Sequence, residues 1–297
     1  MQNVFAFCNQ KGGVGKTTSV INLSTALGQK GYKVLILDMD AQANATSGLG
    51  EEKPPLEKTT FQLLVEESDT AELVKSTQWQ NLSIIRSSPE LSGAELELIN
   101  MEKREFQLQA RLETLRKEFD IIVIDCPPSL GLLTVNCLVA SDYAIIPLQC
   151  EYYALEGLGQ LLHTYKLVQT KLNSGLDIGA VILTMADLRT NLTQQVIEEV
   201  RNYFKEKVFE TIVPRSVKLS EAPSFGKPAI VYDVGSRGVQ AYLKIADEFE
   251  TRFLKEEYRK ETMEEQTVEE GLASEKKSGG INNDSGKKEP ENKGEQS

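Results

Sequence analysis

The sequence predicts an α/β fold, a mainly parallel twisted sheet flanked by helices on both faces, and three observations predict it. Short apolar runs alternate with amphipathic stretches over most of the 297 residues, the pattern of repeated β-α units. The apolar runs are mostly continuous rather than alternating, as strands covered on both faces are. The first run is followed at once by a glycine-rich loop that opens a helical pattern, and such sheets bind ligands at the carboxyl ends of their strands. Strands are expected at Val4–Cys8, Lys33–Asp38, Leu82–Arg86, Asp120–Asp125, Tyr143–Leu148, Ile178–Met185 and Val208–Val213. Helices are expected at Lys16–Lys30, Glu95–Glu118, Gly131–Ala140, Leu155–Leu172, Asn191–Lys207 and Val239–Tyr258. The first of these carries Val20, Leu23, Ala26 and Leu27 on one face and stops at Gly31. Beyond it the pattern holds until about Glu261, where Lys, Glu, Gly, Asn and Ser take over with almost nothing to bury. Residues 1–258 are therefore read as one domain and 259–297 as a disordered charged tail.

Composition excludes several classes of function. A hydrophobic content of 40% with 26% charged residues is that of an ordinary soluble protein. No run approaches the roughly 20 apolar residues of a membrane span, and the chain enters its first strand with no room for a signal peptide. A cytoplasmic protein without a membrane partner is expected. Cys8, Cys126, Cys137 and Cys150 lack C-x-x-C spacing, so neither disulfides nor cysteine metal sites are expected. His163, the single histidine, reads as a helix-surface residue. The net charge of −11 argues against coating nucleic acid by bulk charge. Twelve acidic and seven basic residues fall in 256–297, however, which leaves room for a local basic face on the body.

The run Asn9-Gln10-Lys11-Gly12-Gly13-Val14-Gly15-Lys16-Thr17-Thr18 reads as a phosphate-binding loop. A tight turn between strand and helix aims successive backbone N–H groups at one spot, where a polyphosphate settles. Lys16 offsets the charge of the outer phosphates and the Thr17 hydroxyl reaches Mg²⁺. Gln10 through Thr18 form the expected nucleotide-binding set. Gln10 stands where the general pattern has its first glycine, and Lys11 is an added lysine at the loop entrance. A lysine there is hard to aim at its own subunit's phosphates, which points to a role across a subunit interface. A plain glycine turn with two solvated lysines is the competing account. It fails to explain why strand, helix, glycine spacing and Lys-Thr coincide.

Two further strands end in carboxylates. Leu35-Ile36-Leu37-Asp38-Met39-Asp40 places two of them two residues apart, and Ile121-Ile122-Val123-Ile124-Asp125 is a Walker B pattern. Such groups hold an Mg²⁺ hydration shell or orient an attacking water. Cys126-Pro127-Pro128 then turns the chain. Taken with the segment Gln42 to Gly50, the run Ile124 to Asn136, Arg189-Thr190-Asn191-Leu192 and Pro214 to Pro228, these motifs resemble the ParA/Soj chromosome- and plasmid-partitioning ATPases, P-loop NTPases with a deviant Walker A loop. The match runs from about Val4 to Phe253. Ala41 departs from it, since these proteins usually carry proline after the second aspartate.

The resemblance implies that Lys16 contacts the β- and γ-phosphates, that Thr17 ligates Mg²⁺, and that Asp38 and Asp125 hold the ion through water. It further implies that Asp40 positions the attacking water, that Lys11 reaches the partner subunit's nucleotide in a homodimer, and that Pro214, Arg215, Ser216 and Val217 line the adenine. The folded region has no guanine-recognition motif, which favours ATP over GTP. Arg189 and Lys218 sit in expected loops where the family presents basic residues to nonspecific double-stranded DNA, and Arg215 is assigned to both that patch and the nucleotide pocket. Arg201 and Lys205 alternate with Glu198, Glu199 and Glu206 and read as a solvated helix face. The implied partners are a ParB/Spo0J-like centromere-binding protein that stimulates hydrolysis and, in some relatives, a replication initiator. The implied location is nucleoid-associated within the cytoplasm. The alternatives are a nucleotide-switched DNA-bound regulator and a MinD-like membrane-cycling ATPase, the latter disfavoured by an acidic rather than basic amphipathic end.

Overall fold

The computed structural model describes residues 3–66, 69–151 and 154–255. The chain divides into two compact units, Met1–Glu248 and Phe249–Ser297. The described part of the second includes a π-helical turn, Glu250–Leu254, and the expected tail from 259 lies outside the described residues.

The first unit is built on one seven-stranded sheet of β1 (Val4–Phe7), β2 (Val34–Asp38), β3 (Lys75–Ser76), β4 (Leu82–Ile85), β5 (Ile121–Asp125), β6 (Tyr143–Gln149) and β7 (Asp177–Thr184). Their order across the sheet is β3-β4-β2-β5-β1-β6-β7, and every pair is parallel except β3 with β4. The helices are α1 (Lys16–Gln29), α2 (Asn44–Gly48), α3 (Thr60–Val65), α4 (Thr70–Leu73), α5 (Ala94–Ile99), α6 (Gln107–Glu118), α7 (Leu132–Val139), α8 (Ala154–Lys171), α9 (Asn191–Phe204), α10 (Val217–Glu221), α11 (Ala229–Tyr232) and α12 (Arg237–Phe249). The expected parallel α/β architecture is present.

Strand residues alternate between two covered faces, which is why their sequences read as continuous apolar runs. Val4, Ala6, Leu35, Leu37, Ile122 and Ile124 share one cluster with Leu108, Leu112 and Leu115 of α6 and Cys137 and Leu138 of α7. Phe5, Phe7, Val34, Ile36 and Val123 are equally buried on the other face, where α1 packs along β2 and β5. Each such side chain contributes about 1.5–3 kcal/mol by leaving water. All four cysteines are buried free thiols, and His163 is exposed on α8.

Three expectations need correction. Val208–Val213 is not a strand. It runs beside β7 through single bridges, Val181 with Val208 and Ala186 with Pro214. The N–H groups of Glu210 and Thr211 instead donate to the Glu248 carboxylate at 2.7 and 2.9 Å, which draws the segment off the ladder. The single helix expected over Glu95–Glu118 is two, α5 and α6. Asn136 of α7 holds the break open, donating to the Arg104 carbonyl at 2.8 Å and accepting the Leu108 N–H at 3.2 Å. Lys218 lies in α10 rather than in a loop, paired with Glu221 one turn on at 3.0 Å.

Gly28 lies near the end of α1, where alanine has the better helix propensity. A Cβ at this position would run into the backbone carbonyl oxygen of Gln80, which cannot swing away. Gly28→Ala is expected to destabilise the protein by about 1–3 kcal/mol, the usual cost of overpacking, despite the propensity gain. Denaturant melts check this, and an unchanged or raised midpoint would show that the close approach is relieved cheaply.

Candidate functional site

The glycine loop joins β1 to α1 at the middle of the sheet, with β5 on one side of β1 and β6 on the other. Gly13 and Gly15 have φ of 72° and 87°, a left-handed backbone that a side chain would strain. Asn9 braces the loop from below. Its amide donates to the Pro147 carbonyl at 2.8 Å and its oxygen accepts the Lys11 N–H at 3.0 Å. Val14 is buried and its carbonyl accepts the Thr184 hydroxyl at 2.8 Å. Lys16 is only 7% exposed and its ammonium donates to the Lys11 carbonyl at 3.5 Å. An ammonium so far withdrawn from water is stabilised by an opposite charge brought close to it. The Gln10 side-chain oxygen is buried without a partner.

Asp38 and Asp125 are register neighbours at the carboxyl ends of β2 and β5, and Asp125 also pairs with Phe7 at the end of β1. Both are fully buried. Asp38 accepts the Thr46 N–H at 2.8 Å and the Thr46 hydroxyl at 2.7 Å. Asp125 has no such support. Neither of its oxygens accepts a hydrogen bond of good geometry, although the Thr17 hydroxyl lies close enough to favour its charged form. Burial pushes both carboxyls well above the usual carboxylate range. For Asp125 the neighbouring Asp38 adds to that, with Thr17 and Lys16 offsetting it in part; for Asp38 the Thr46 bonds offset it. Asp40 accepts the Gln42 N–H at 3.0 Å through its side chain and the Ala43 N–H at 2.9 Å through its carbonyl. The turn after Asp40, which passes through Ala41, is thus closed by hydrogen bonds.

Gly12, Gly13, Lys16, Thr17, Thr18 and Asp40 line a cleft of 390 Å³, while Asp38 and Asp125 are buried and are not part of its lining. An adjoining cavity of 140 Å³ brings Pro214, Arg215 and Ser216 beside Thr18, Thr184 and Met185. Val217, expected with them, is 69% exposed at the start of α10 and lines neither cavity. Lys11 lies at the rim, its ammonium 3.8 Å from Glu151.

The expected basic residues are all paired. Arg189, with its side chain 89% exposed, grips Asp187 through Nε and Nη2 at 2.8 and 2.7 Å, and that pairing holds the Asp187 carboxyl down at about 2. Lys218 pairs with Glu221 and lies 5.6 Å over the Tyr232 ring, and Arg215 reaches Glu151 at 3.1 Å. Exposed pairs of this kind are weak, which leaves each cation free to exchange its carboxylate for another anion.

Comparison with known proteins follows the same lines. Residues 2–178 match the family model described as an AAA domain. The sporulation initiation inhibitor protein Soj of Bacillus subtilis (strain 168) is 54% identical over 248 residues, 84% of this chain and 98% of that one. The chromosome partitioning protein ParA of Myxococcus xanthus is 51% identical over 249 residues, 84% and 88% of the two chains. The chain belongs to the ParA/Soj family. The fold agrees: cobyrinic acid a,c-diamide synthase from Mycobacterium smegmatis, solved with an ATP analogue and magnesium, superposes with a TM-score of 0.72 at 33% identity, covering 83% of this chain and 93% of that one.

Asn9, Thr46, Asp187 and Glu151 were not singled out from sequence. Glu151 had a signal, since it directly follows an apolar strand whose carboxyl end faces the loop. Thr46 had none, because its role depends on α2 folding back under β2.

The unsupported Asp125 carboxyl carries a pH signature. A carboxyl with a raised folded-state pKa keeps its proton after the unfolded chain has lost it. Stability therefore falls as pH rises from about 4, where an unfolded aspartate ionises, until the buried group ionises too. In nucleotide-free, Mg²⁺-free protein, Asp125→Asn removes this loss. Its melting temperature relative to wild type is expected to rise between pH 5 and pH 8 by at least about 2 °C, the shift that roughly 1 kcal/mol gives a domain of this size. A difference that stays constant with pH would count against the buried-acid account.

Proposed function

We propose that this chain is a dimerising ATPase of DNA partitioning that uses ATP and Mg²⁺, binds nonspecific DNA in its ATP state and releases it on hydrolysis. The observation that carries the reading is the gathering of Lys16, Thr17 and Asp40 on one cleft beside the glycine loop, with the buried Asp125 close to all three and Asp38 beside it. Phosphoryl transfer to water needs little covalent chemistry from protein, only positioning and charge stabilisation, and those are the services these residues offer. The loop N–H groups and Lys16 bind the phosphates. Asp40, buried to 9% exposure yet lining the cleft, orients the attacking water. The orphaned oxygens of Asp125, with Asp38 and the Thr17 hydroxyl nearby, suit a hard divalent cation. Thr17, Asp38 and Asp125 would hold Mg²⁺ there, and the ion would supply charge neutralisation at the phosphate oxygens.

Lys11 is assigned to the partner subunit's phosphates, so that ATP is held between two copies. If ATP favours the dimer and only the dimer presents two sets of Arg189, Arg215 and Lys218, DNA release follows from hydrolysis without further machinery. The partner expected to stimulate turnover is a centromere-binding protein of the ParB kind. A second reading, a nucleotide-switched regulator, draws on the name of the Bacillus relative, an inhibitor of sporulation initiation. Turnover stimulated by DNA and the centromere-binding partner favours partitioning; a nucleotide-dependent switch without stimulated turnover favours the regulator.

Three substitutions separate the roles in the cleft. Lys16→Ala is expected to lose ATP binding. Asp40→Ala is expected to bind ATP and dimerise while turnover falls by about 10²-fold or more, and Lys11→Ala to bind ATP yet stay monomeric. Direct binding, sedimentation and phosphate release read these out, and wild-type ATP affinity in Lys16→Ala would sink the assignment.

For DNA, Arg189→Glu combined with Lys218→Glu is expected to abolish binding while ATP-dependent dimerisation survives. Wild-type affinity is expected to require ATP, to fall steeply with salt and to vary little with DNA sequence. A salt series in ATP and in ADP measures all three, and undiminished binding by the double variant would refute the patch.

A further inference from the structure

Glu151 sits just past β6 and touches two cations to which the reading above gives different tasks, Lys11 and Arg215. Its carboxylate is oriented rather than loose. Oε1 accepts the Gln149 side-chain amide at 2.6 Å and an Arg215 N–H at 3.1 Å, and the Glu151 backbone N–H donates to the Gln149 carbonyl at 2.9 Å. Oε2 is left facing the Lys11 ammonium at 3.8 Å. On the other side the Lys11 backbone is pinned, its N–H by Asn9 and its carbonyl by Lys16, so only its side chain is free to move. That side chain does not line the nucleotide cleft of its own subunit. It lies on Glu151.

We propose that Glu151 is a positioning residue that latches Lys11 in the free monomer and releases it when a second copy docks. The inference rests on the reading of Lys11 as a residue that crosses the dimer. A contact made only in the monomer must be given up on association, so it opposes dimerisation by its own strength. The pair is partly exposed, with side chains 37% and 46% accessible, so its strength is that of a surface ion pair. One latch opens on each protomer and the effect enters twice. The latch is therefore a modest brake that ATP overcomes, and it keeps nucleotide-free copies from pairing through an unneutralised lysine. Arg215 shares the same carboxylate and lies near enough to Asp187 to lower its pKa, so the brake connects through alternating charges to Arg189.

The test is the dimer dissociation constant by sedimentation equilibrium, with a non-hydrolysable ATP analogue and Mg²⁺, at low and at high salt. Glu151→Gln, which keeps the shape and removes the charge, is expected to dimerise roughly three- to tenfold more tightly than wild type at low salt. The gap is expected to close at high salt, where wild-type latches are already screened, and Glu151→Asp to stay near wild type. In nucleotide-free monomer, Lys11 of Glu151→Gln is expected to be acetylated faster by an amine-reactive ester, read by mass spectrometry. Equal or weaker dimerisation of Glu151→Gln at low salt, or unchanged Lys11 acetylation, overturns the latch while a monomeric Lys11→Ala leaves the crossing role of Lys11 standing. Wild-type dimerisation by Lys11→Ala overturns that role and the latch together.

Discussion

The parallel register of β2, β5 and β1 is the constraint on which the rest of the molecule depends. It places Asp38 opposite Asp125 and Asp125 opposite Phe7, two residues before the loop that holds Lys16. Side chains alternate along a strand, so a slip of one residue in either pairing would carry a carboxylate to the wrong face of the sheet. Buried apolar residues on both faces make such a slip expensive. The hydrophobic core, which has no chemistry of its own, is therefore what sets two acids and a lysine at one point.

How much of this was legible in the sequence depended on where the determining contacts lie. The first six expected strands and the glycine loop were legible because each is written in consecutive residues: an apolar run, a turn, a terminal charge. The failures came where a distant side chain decides. Glu248 captures the N–H groups of Glu210 and Thr211, so a segment with strand-like composition meets β7 only at its two ends, through the N–H groups of Phe209 and Val213. Asn136 divides a helix from 28 residues away. The two-residue β3 was too short to carry any period. In the site, the loop and acids were legible, while Thr46 and Asn9 act through chain reversals that spacing does not encode.

The charged side chains around the cleft divide into two populations. Lys16, Asp38 and Asp125 are withdrawn from water, where an unmatched charge is costly and a ligand that matches it is bound firmly. Lys11, Arg189, Arg215 and Lys218 are each more than a third exposed and matched to nearby carboxylates, where a change of partner costs little. The first population suits chemistry that must not err. The second suits the contacts that, on the proposed reading, form and break with each hydrolysis.

The position of the 208–213 segment reaches beyond the fold of one copy. Lying against β7, with the N–H groups of Phe209 and Val213 given to that strand and those of Glu210 and Thr211 to Glu248, it covers one edge of the sheet, and at the opposite edge β3 offers two exposed residues, Lys75 and Ser76. Open edges are where sheets fuse from molecule to molecule, and short or lysine-bearing edges resist it. Among the described residues the sheet thus offers little backbone seam by which neighbouring copies could knit into continuous β-structure, which leaves contacts between copies to side chains that solvent can undo.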